Sequence, residues 1–412
     1  MNLIEELKAR GLVEHHSAEL EKIFAVKRTI YLGVDPSADS MQAGNLAVIL
    51  LLRRLAEAGN KIILLVGGGT GMIGDPRESG ERTLADVRII EKNAKALRDQ
   101  MQRIIGIKVQ LVNNADWLLK IKLVDFLRDI GKHFTINELI KRDIIKRRIE
   151  DPNDSISYTE FAYSLLQGYD YLVLNQKYGV DLQIGGSDQW TNILSGVELI
   201  RRKLGKEAFA LTLPIVTDAN GKKFGKSEGN AVWLDAKKTT PFMFYQFWVS
   251  QADQVVGKYL KIYTFLGVTE INALMELHMR NPERRVAQRK LAFEVTKLVH
   301  GELEATQAEK FTDVLFGATE FDSLSSSERD ALFDAVPSVT LAKGSEHGIL
   351  DVLSMTDFIS SKSEARRLVE GKGIRLNGVN VETDRTLTDA DFSTGLAIFQ
   401  KGKSEKLLVR FK

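Results

Sequence analysis

Between Arg28 and Val66 the chain runs strand, loop, helix and strand with almost nothing in between. Arg28-Thr29-Ile30-Tyr31-Leu32-Gly33-Val34 reads as a buried strand, and Asp35-Pro36-Ser37-Ala38-Asp39-Ser40 as a turn-rich cap. The helix that follows begins near Gly44-Asn45 and carries Leu46 to Leu55, and Lys61 to Val66 is a second strand. This succession is how a parallel sheet is built, and such sheets hold ligands at the carboxyl ends of strands and the amino termini of helices. The loops after both strands therefore face one crevice.

The second of these loops, Gly67 to Pro76, contains G-x-G-x-x-G spacing at Gly69, Gly71 and Gly74. A dinucleotide site wants a helix opening inside the glycines and an acidic residue about 20 positions on. Here Asp75-Pro76 breaks the backbone, and Arg77-Glu78-Ser79-Gly80-Glu81-Arg82 prolongs a polar loop before a helix from Leu84 to Ile104. Residues 107–112 look like a third strand, and Asn113-Asn114-Ala115-Asp116-Trp117 opens a helical region that reaches about Asp151. Lys141, Arg142, Lys146, Arg147 and Arg148 recur in it, on either a solvated face or an RNA-facing one.

From Tyr158 the pattern is again helical, with Tyr163, Gln167 and Asp170 at i, i+4 and i+7 on one face. A polar stripe on an apolar helix is either a capped end or a site. Val180 to Ile184, with Gln183 inside it, is a short strand running into Gly185-Gly186-Ser187-Asp188-Gln189-Trp190. Paired glycines let backbone approach a ligand, and Asp188 and Gln189 offer acceptors and an amide, although the same run is also an everyday turn and helix cap.

Lys222-Lys223-Phe224-Gly225-Lys226-Ser227-Glu228-Gly229-Asn230 puts three lysines beside two glycines. Taken alone it is a solvated turn; as part of a site it can close over a polyphosphate, since ammonium groups neutralise migrating charge without one fixed geometry. Residues 239–316 are mostly helical, with Pro241 suited to an early helical position and a basic run from Arg280 to Lys290. Between Phe316 and Gly348 the composition loosens, with Ser325-Ser326-Ser327 and Pro337-Ser338, and a boundary belongs there. Beyond it, Ser361 to Val369 is a basic amphipathic helix, followed by alternating strands with an Asn377-Gly378 turn. At the other end, residues 2–25 read as amphipathic helices.

Composition narrows the class. A chain of 412 residues with 44% hydrophobic and 27% charged residues is long enough for two or three domains and ordinary for a globular enzyme. The net charge of +2 leaves any nucleic-acid contact to local basic surface. With no cysteine, disulfides, thiolate metal sites and a cysteine nucleophile are excluded. The apolar run Leu46 to Leu52 stops at Arg53 and Arg54, short of the roughly 20 residues that cross a bilayer. The acidic, helical amino terminus is no basic leader, so a cytoplasmic location without membrane attachment is expected.

Four separated stretches, Tyr31 with Asp35-Pro36, Gln42-Ala43-Gly44-Asn45, Tyr163 to Asp170 with Gly185 to Gln189, and Lys223 to Ser227, together resemble the bacterial-type tyrosyl-tRNA synthetases of class I. The resemblance covers essentially the whole chain. It implies an α/β fold: a Rossmann-like parallel-sheet catalytic domain over 1–221 with a helical insertion at about 115–180, then the lysine loop and an α-helical domain over 222–320. A linker over 321–347 and a small α+β RNA-binding module over 348–412, of ribosomal-protein type, would follow.

The implied activity is ATP-dependent formation of tyrosyl-adenylate and transfer of tyrosine to tyrosine tRNA by a homodimer. Tyr31 and Asp170 would meet the substrate phenol, leaving phenylalanine unpaired, a discrimination for which this family is itself the standard illustration. Asp75, Tyr163 and Gln167 would hold the ammonium, with Gln183 and Gln189 completing the tyrosine site. ATP would lie against Asp35, Gly44, Asn45, Gly186, Asp188, Lys226 and Ser227. Lys223, Lys226, Gln42 and Asn45 would stabilise the leaving pyrophosphate, with magnesium brought by the phosphates and no tightly held protein-bound metal.

The sequence departs from the family pattern where Gln42 and Asn45 replace the histidines of the His-Ile-Gly-His signature, and where Arg77 and Arg82 stand without a lysine. Two rivals follow: a tryptophanyl-tRNA synthetase, for which the Tyr31 and Asp170 pair is ill suited, and an RNA-binding paralogue that has lost catalysis. An apolar stripe in 115–150 is available for dimer contact, and equally for core burial.

Overall fold

The computed structural model describes the whole chain except residues 77–85, 108, 141–142, 223, 225–230, 317–320, 345, 357, 393–394, 403–404 and 412, and the side chains of 143, 144 and 322. By internal contacts the chain divides into two units, 1–238 with 251–291 and 239–250 with 292–412.

The first unit is built on a six-stranded sheet in the order β1-β6-β5-β2-β3-β4. Its strands are β1 (His15–His16), β2 (Thr29–Val34), β3 (Lys61–Val66), β4 (Gln110–Asn113), β5 (Leu182–Gly186) and β6 (Phe209–Leu213). All neighbours pair in parallel except β1 with β6. Apolar β2 and β3 are covered on both faces, as parallel strands require, with Ile30, Tyr31, Leu32 and Ile62 to Val66 buried. The chain passes from β2 outward to β3 and β4, and the opposite side is filled by β5 and β6. The carboxyl ends of β2 and β5 therefore flank the switch point where such sheets open a crevice.

Helix Ala43–Glu57 follows β2, and helix Val87–Ile105 precedes β4. Helix Tyr158–Tyr178, capped by Ser157 accepting from the Glu160 amide, leads into β5, and helix Trp190–Leu204 leaves it. Its packing against Ile63, Leu65, Val112, Trp117 and Leu139 makes the 115–140 segment part of the same core.

Several elements differ from expectation. β4 starts three residues late because Gly106, at φ +75°, closes the preceding helix and Ile107 stays exposed. β5 starts two residues late because Gly179 ends its helix with φ +68° and Val180 still donates back to Leu174. The region from 115 to 151 is broken into Ala115–Leu118, Leu123–Asp129, Ile136–Leu139 and Asp143–Glu150. At the amino terminus, helices Leu3–Ala9 and Leu20–Ile23 are separated by β1, too short for any period to show. Arg148 lies on neither a solvated nor an RNA-facing surface. It is 1% exposed and ion-paired with Glu160 at 3.0 Å and Asp154 at 3.3 Å.

In the second unit, helix Pro241–Val249 has Pro241 in its first turn behind the Thr240 cap, and Gln246 donates to Thr312 of helix Glu302–Leu315 at 2.6 Å. A five-stranded sheet runs β7-β11-β10-β8-β9, from β7 (Ser338–Leu341), β8 (Ile374–Leu376), β9 (Val379–Asn380), β10 (Ala397–Lys401) and β11 (Glu405–Phe411). Asn377 and Gly378, both at positive φ, make the turn between β8 and β9. Residues 321–347, expected as a linker, contain helix Ser326–Ala335 and β7, which pairs in parallel with β11.

Candidate active site

Tyr31 of β2 and Gln183 of β5 are register neighbours on adjacent parallel strands. With Gln167 and Asp170 of helix Tyr158–Tyr178 they line an inner chamber that holds about 450 Å³ of space free of protein atoms, its mouth included. Asp170 is fully enclosed and accepts from Asn114 Nδ2 at 2.9 Å and Trp117 Nε1 at 2.7 Å. Burial pushes its pKa up to about 7, the two donors pull it back, and Asp35 raises it.

The Tyr31 hydroxyl and the Gln183 amide oxygen are buried and close no hydrogen bond among the described residues. Burial, then Asp170 and Tyr171, hold the Tyr31 phenol well above its ordinary range, with only the nearby Gln183 opposing. Buried polar atoms left open are costly, so the chamber is complementary to a guest with a polar end. The Tyr31 ring meets Tyr171 edge-on at 5.1 Å, and Tyr171 is itself tied to the Phe209 carbonyl at 2.8 Å.

Nearer the mouth, Asp35 accepts from the Tyr163 hydroxyl at 2.8 Å and the Thr70 hydroxyl at 2.7 Å. Asp75 accepts from Gln189 Nε2 at 2.8 Å and Asn192 Nδ2 at 3.2 Å. Its pKa is raised to about 6, first by burial, with Gln189 opposing and the Asp35 charge adding.

Beyond this mouth an outer cleft of about 1340 Å³, open to solvent, is lined by Gln42, Gly44, Asn45, Asp75, Gly186 and Asp188 among others. Asp35, Tyr163, Gly185 and Gln189 line both spaces. Asn45 Oδ1 accepts from the Gln42 amide at 3.2 Å, which turns the Asn45 side chain back onto the helix start. Residues 232–234 lie along this stretch, with Ala43 donating to Val232 and Leu234 to Met41, both at 2.9 Å. Lys223, Lys226 and Ser227 lie outside the described residues, while Phe224 between them does not. A Cβ on Gly44 would stand 2.5 Å from the Phe224 carbonyl oxygen. The Phe224 ring is wedged against Tyr259 and Tyr263, with centroids at 4.7 and 5.7 Å. Gly44→Ala is therefore expected to cost about 1–3 kcal/mol, visible as a lower thermal midpoint without any ligand.

The glycine-rich loop serves the protein itself. The amides of Gly67, Gly68, Gly69, Gly71 and Gly74 all donate to internal acceptors at 2.7–2.9 Å, so they offer no row of donors to a pyrophosphate. Gly67 is needed because a Cβ would collide with the Asp35 carboxylate and the Thr70 hydroxyl.

The expected residues thus fall into two groups: Tyr31, Asp170, Gln183 and Gln167 around the inner chamber, and Gln42, Gly44, Asn45, Gly186, Asp188 and Asp75 around the cleft, with Asp35, Tyr163 and Gln189 shared. The sequence reading missed Thr70, Asn114, Trp117 and Asn192. Asn114 directly follows β4, so the rule that pointed to the loops after β2 and β3 also applied to it.

Residues 25–317 match the family tRNA synthetases class I (W and Y), and residues 328–409 match the tyrosine–tRNA ligase SYY-like C-terminal domain. The chain belongs to the class I tRNA synthetases of this tryptophan and tyrosine branch. It is 43% identical to the tyrosine–tRNA ligase of Roseiflexus castenholzii over 99% of each chain, and 42% identical to that of Streptococcus mutans over 100% of each. Within the branch it belongs to the tyrosine–tRNA ligase family, and the tyrosine reading stands over the tryptophan one. Among solved structures it resembles a truncated mitochondrial tyrosyl-tRNA synthetase of Aspergillus nidulans, with TM-score 0.68, 32% identity, and coverage of 76% of this chain and 94% of that one. It shares only the fold with the tryptophanyl-tRNA synthetase of Plasmodium falciparum, 15% identical with TM-score 0.55 over 80% of this chain and 88% of that one.

Proposed function

We propose that the chain activates tyrosine with ATP and transfers it to the terminal ribose of tyrosine tRNA, the inner chamber holding the amino-acid side chain and the outer cleft the nucleotide. The observation that carries this reading is the pairing of an open Tyr31 hydroxyl with the buried Asp170 carboxylate on one chamber. A phenol entering it donates to Asp170 and meets Tyr31, and Gln183 lies beside the ring. Asp75, with Tyr163 and Gln167, receives the ammonium, and Gln189 stands where the substrate carboxylate emerges toward the cleft.

One carboxylate oxygen then attacks the α-phosphorus of ATP, the bond to pyrophosphate breaks, and tyrosyl-adenylate remains. The tRNA ribose hydroxyl next attacks the carbonyl carbon and AMP leaves. No general base is needed for the first step, because the attacking carboxylate is already ionised; positioning and stabilisation of the leaving group carry it. Asp35, Gly44, Asn45, Gly186, Asp188 and Ser227 are assigned to ATP, and Gln42, Asn45, Lys223 and Lys226 to the departing pyrophosphate. Magnesium enters with the ATP phosphates as part of the substrate.

Leu119, Leu123, Val124, Leu127 and Ile136 expose a run of apolar surface suited to a second copy of the chain. Among the described residues no helix is long and apolar enough to cross a membrane, which accords with work in the cytoplasm where tRNA is charged.

Pyrophosphate exchange supplied with single amino acids tests the assignment: tyrosine alone should support it. Exchange driven by tryptophan, or by no amino acid, sinks the proposal. A second test uses pH. The phenol donates to ionised Asp170, whose pKa in the free protein is about 7, and the ammonium binds ionised Asp75, at about 6, so kcat/KM for tyrosine is expected to be level above about 7, to fall about tenfold per pH unit below it, and to gain a second, steeper limb below about 6. Asp75→Asn should lower the plateau and remove the second limb; an unchanged profile excludes Asp75 as the ammonium partner.

A further inference from the structure

Helix Val87–Ile105 buries Ile90, Leu97, Met101 and Ile104 as an amphipathic helix should, but its buried face also holds two amides, Asn93 and Gln100. Packing alone would be served there by another leucine or methionine, since a buried amide is costly unless its donors and acceptor are met. The acceptor and a donor of Gln100, and a donor of Asn93, are met by one loop. Gln100 Oε1 accepts from the Met41 amide at 2.8 Å and its Nε2 donates to Ser40 Oγ at 3.1 Å, while Asn93 Nδ2 donates to the Pro36 carbonyl at 3.0 Å. That loop joins β2 to helix Ala43–Glu57 and carries Asp35 at one end and Gln42 at the other.

Met41 is gripped from both sides: its carbonyl accepts from Leu234, in the segment that follows the lysine stretch, at 2.9 Å. Gln100 therefore sets the backbone position from which Gln42, Gly44 and Asn45 are presented and against which residues 232–234 lie.

Resting on the assignment of the outer cleft to ATP, we infer that Gln100, assisted by Asn93, is a positioning residue for ATP in the activation step, acting through the Ser40 hydroxyl and the Met41 backbone amide. Of the residues lining the tyrosine chamber this loop supplies only Asp35, at the end opposite the Ser40 and Met41 contacts of Gln100.

The test compares Gln100→Met, which keeps the volume and removes both bonds, with Leu97→Ala, a packing lesion on the same helix face, and Gln100→Glu, which retains the acceptor for the Met41 amide. Exchange at saturating tyrosine gives KM for ATP, equilibrium dialysis without ATP gives Kd for tyrosine, and thermal melts follow the fold. Gln100→Met is expected to raise KM for ATP about tenfold, the effect of one or two buried hydrogen bonds, and to leave Kd for tyrosine within about twofold. Gln100→Glu should recover much of the loss, and Leu97→Ala should lower the melt without separating the two substrates. The inference is overturned if KM for ATP in Gln100→Met is unchanged, if both constants move together as in a packing lesion, or if Gln100→Glu recovers nothing. Absence of tyrosine-dependent exchange in the unmodified protein would instead overturn the functional assignment, so the two failures are distinct.

Discussion

In pyrophosphate exchange, Asp170→Asn is expected to lower kcat/KM for tyrosine by roughly two orders of magnitude, the worth of a charge-assisted bond plus a mismatched buried donor, with KM for ATP within about twofold. Two N–H donors already converge on this carboxylate, from Asn114 and Trp117. An ionised carboxylate accepts from both and from a phenol as well. The asparagine amide has one oxygen, so its NH₂ must face either another donor or the substrate hydroxyl. Tyr31→Phe removes the partner on the other side and should cost less, about tenfold, because a neutral pair is lost. In both variants phenylalanine should compete better relative to tyrosine, and the ratio of the two kcat/KM values measures it. Equal losses for tyrosine and ATP would mean that Asp170 supports the chamber without touching the phenol.

The second large effect falls on stability. Arg148→Met leaves Glu160, 2% exposed, as a carboxylate stripped of its cation, and breaking such a buried pair typically costs about 3–5 kcal/mol. Glu160 sits one turn before Tyr163 on the helix that also carries Gln167 and Asp170, so the damage should spread to tyrosine binding. Replacing both partners, Arg148→Met with Glu160→Leu, is expected to restore most of the loss, since an apolar pair needs no compensation. Urea unfolding followed by circular dichroism should show the single variant's first transition at clearly lower urea and the double variant's near the original. Matching curves for all three proteins would mean that the ion pair is without consequence for the fold.

What could be read in advance divides along physical lines. Ile62 to Val66 is a continuous apolar run between Lys61 and Gly67, and β3, Lys61–Val66, has the bounds read from the sequence. Tyr163, Gln167 and Asp170 share a helix face by spacing alone, and all three line the inner chamber. Arg148 was misplaced because charge on a helix is legible and its carboxylate partners, in the following loop and the next helix, are not. β1 escaped because two residues carry no period. Asn114 and Trp117 escaped because their role is to orient another side chain, a relation that exists only after folding. Asn93 and Gln100 look in sequence like flaws in an amphipathic pattern, and such flaws on a face otherwise apolar are the signal to follow.

Because Asp35, Tyr163, Gly185 and Gln189 stand in the partition between the two spaces, neither occupant arrives at a finished container. Whatever factor the first to bind applies to the affinity of the second, the second must return to the first, since the free energy of the doubly occupied state does not depend on the route taken to it. Loading order is therefore a kinetic question for this protein, while the synergy between its two small substrates is a single number shared by both.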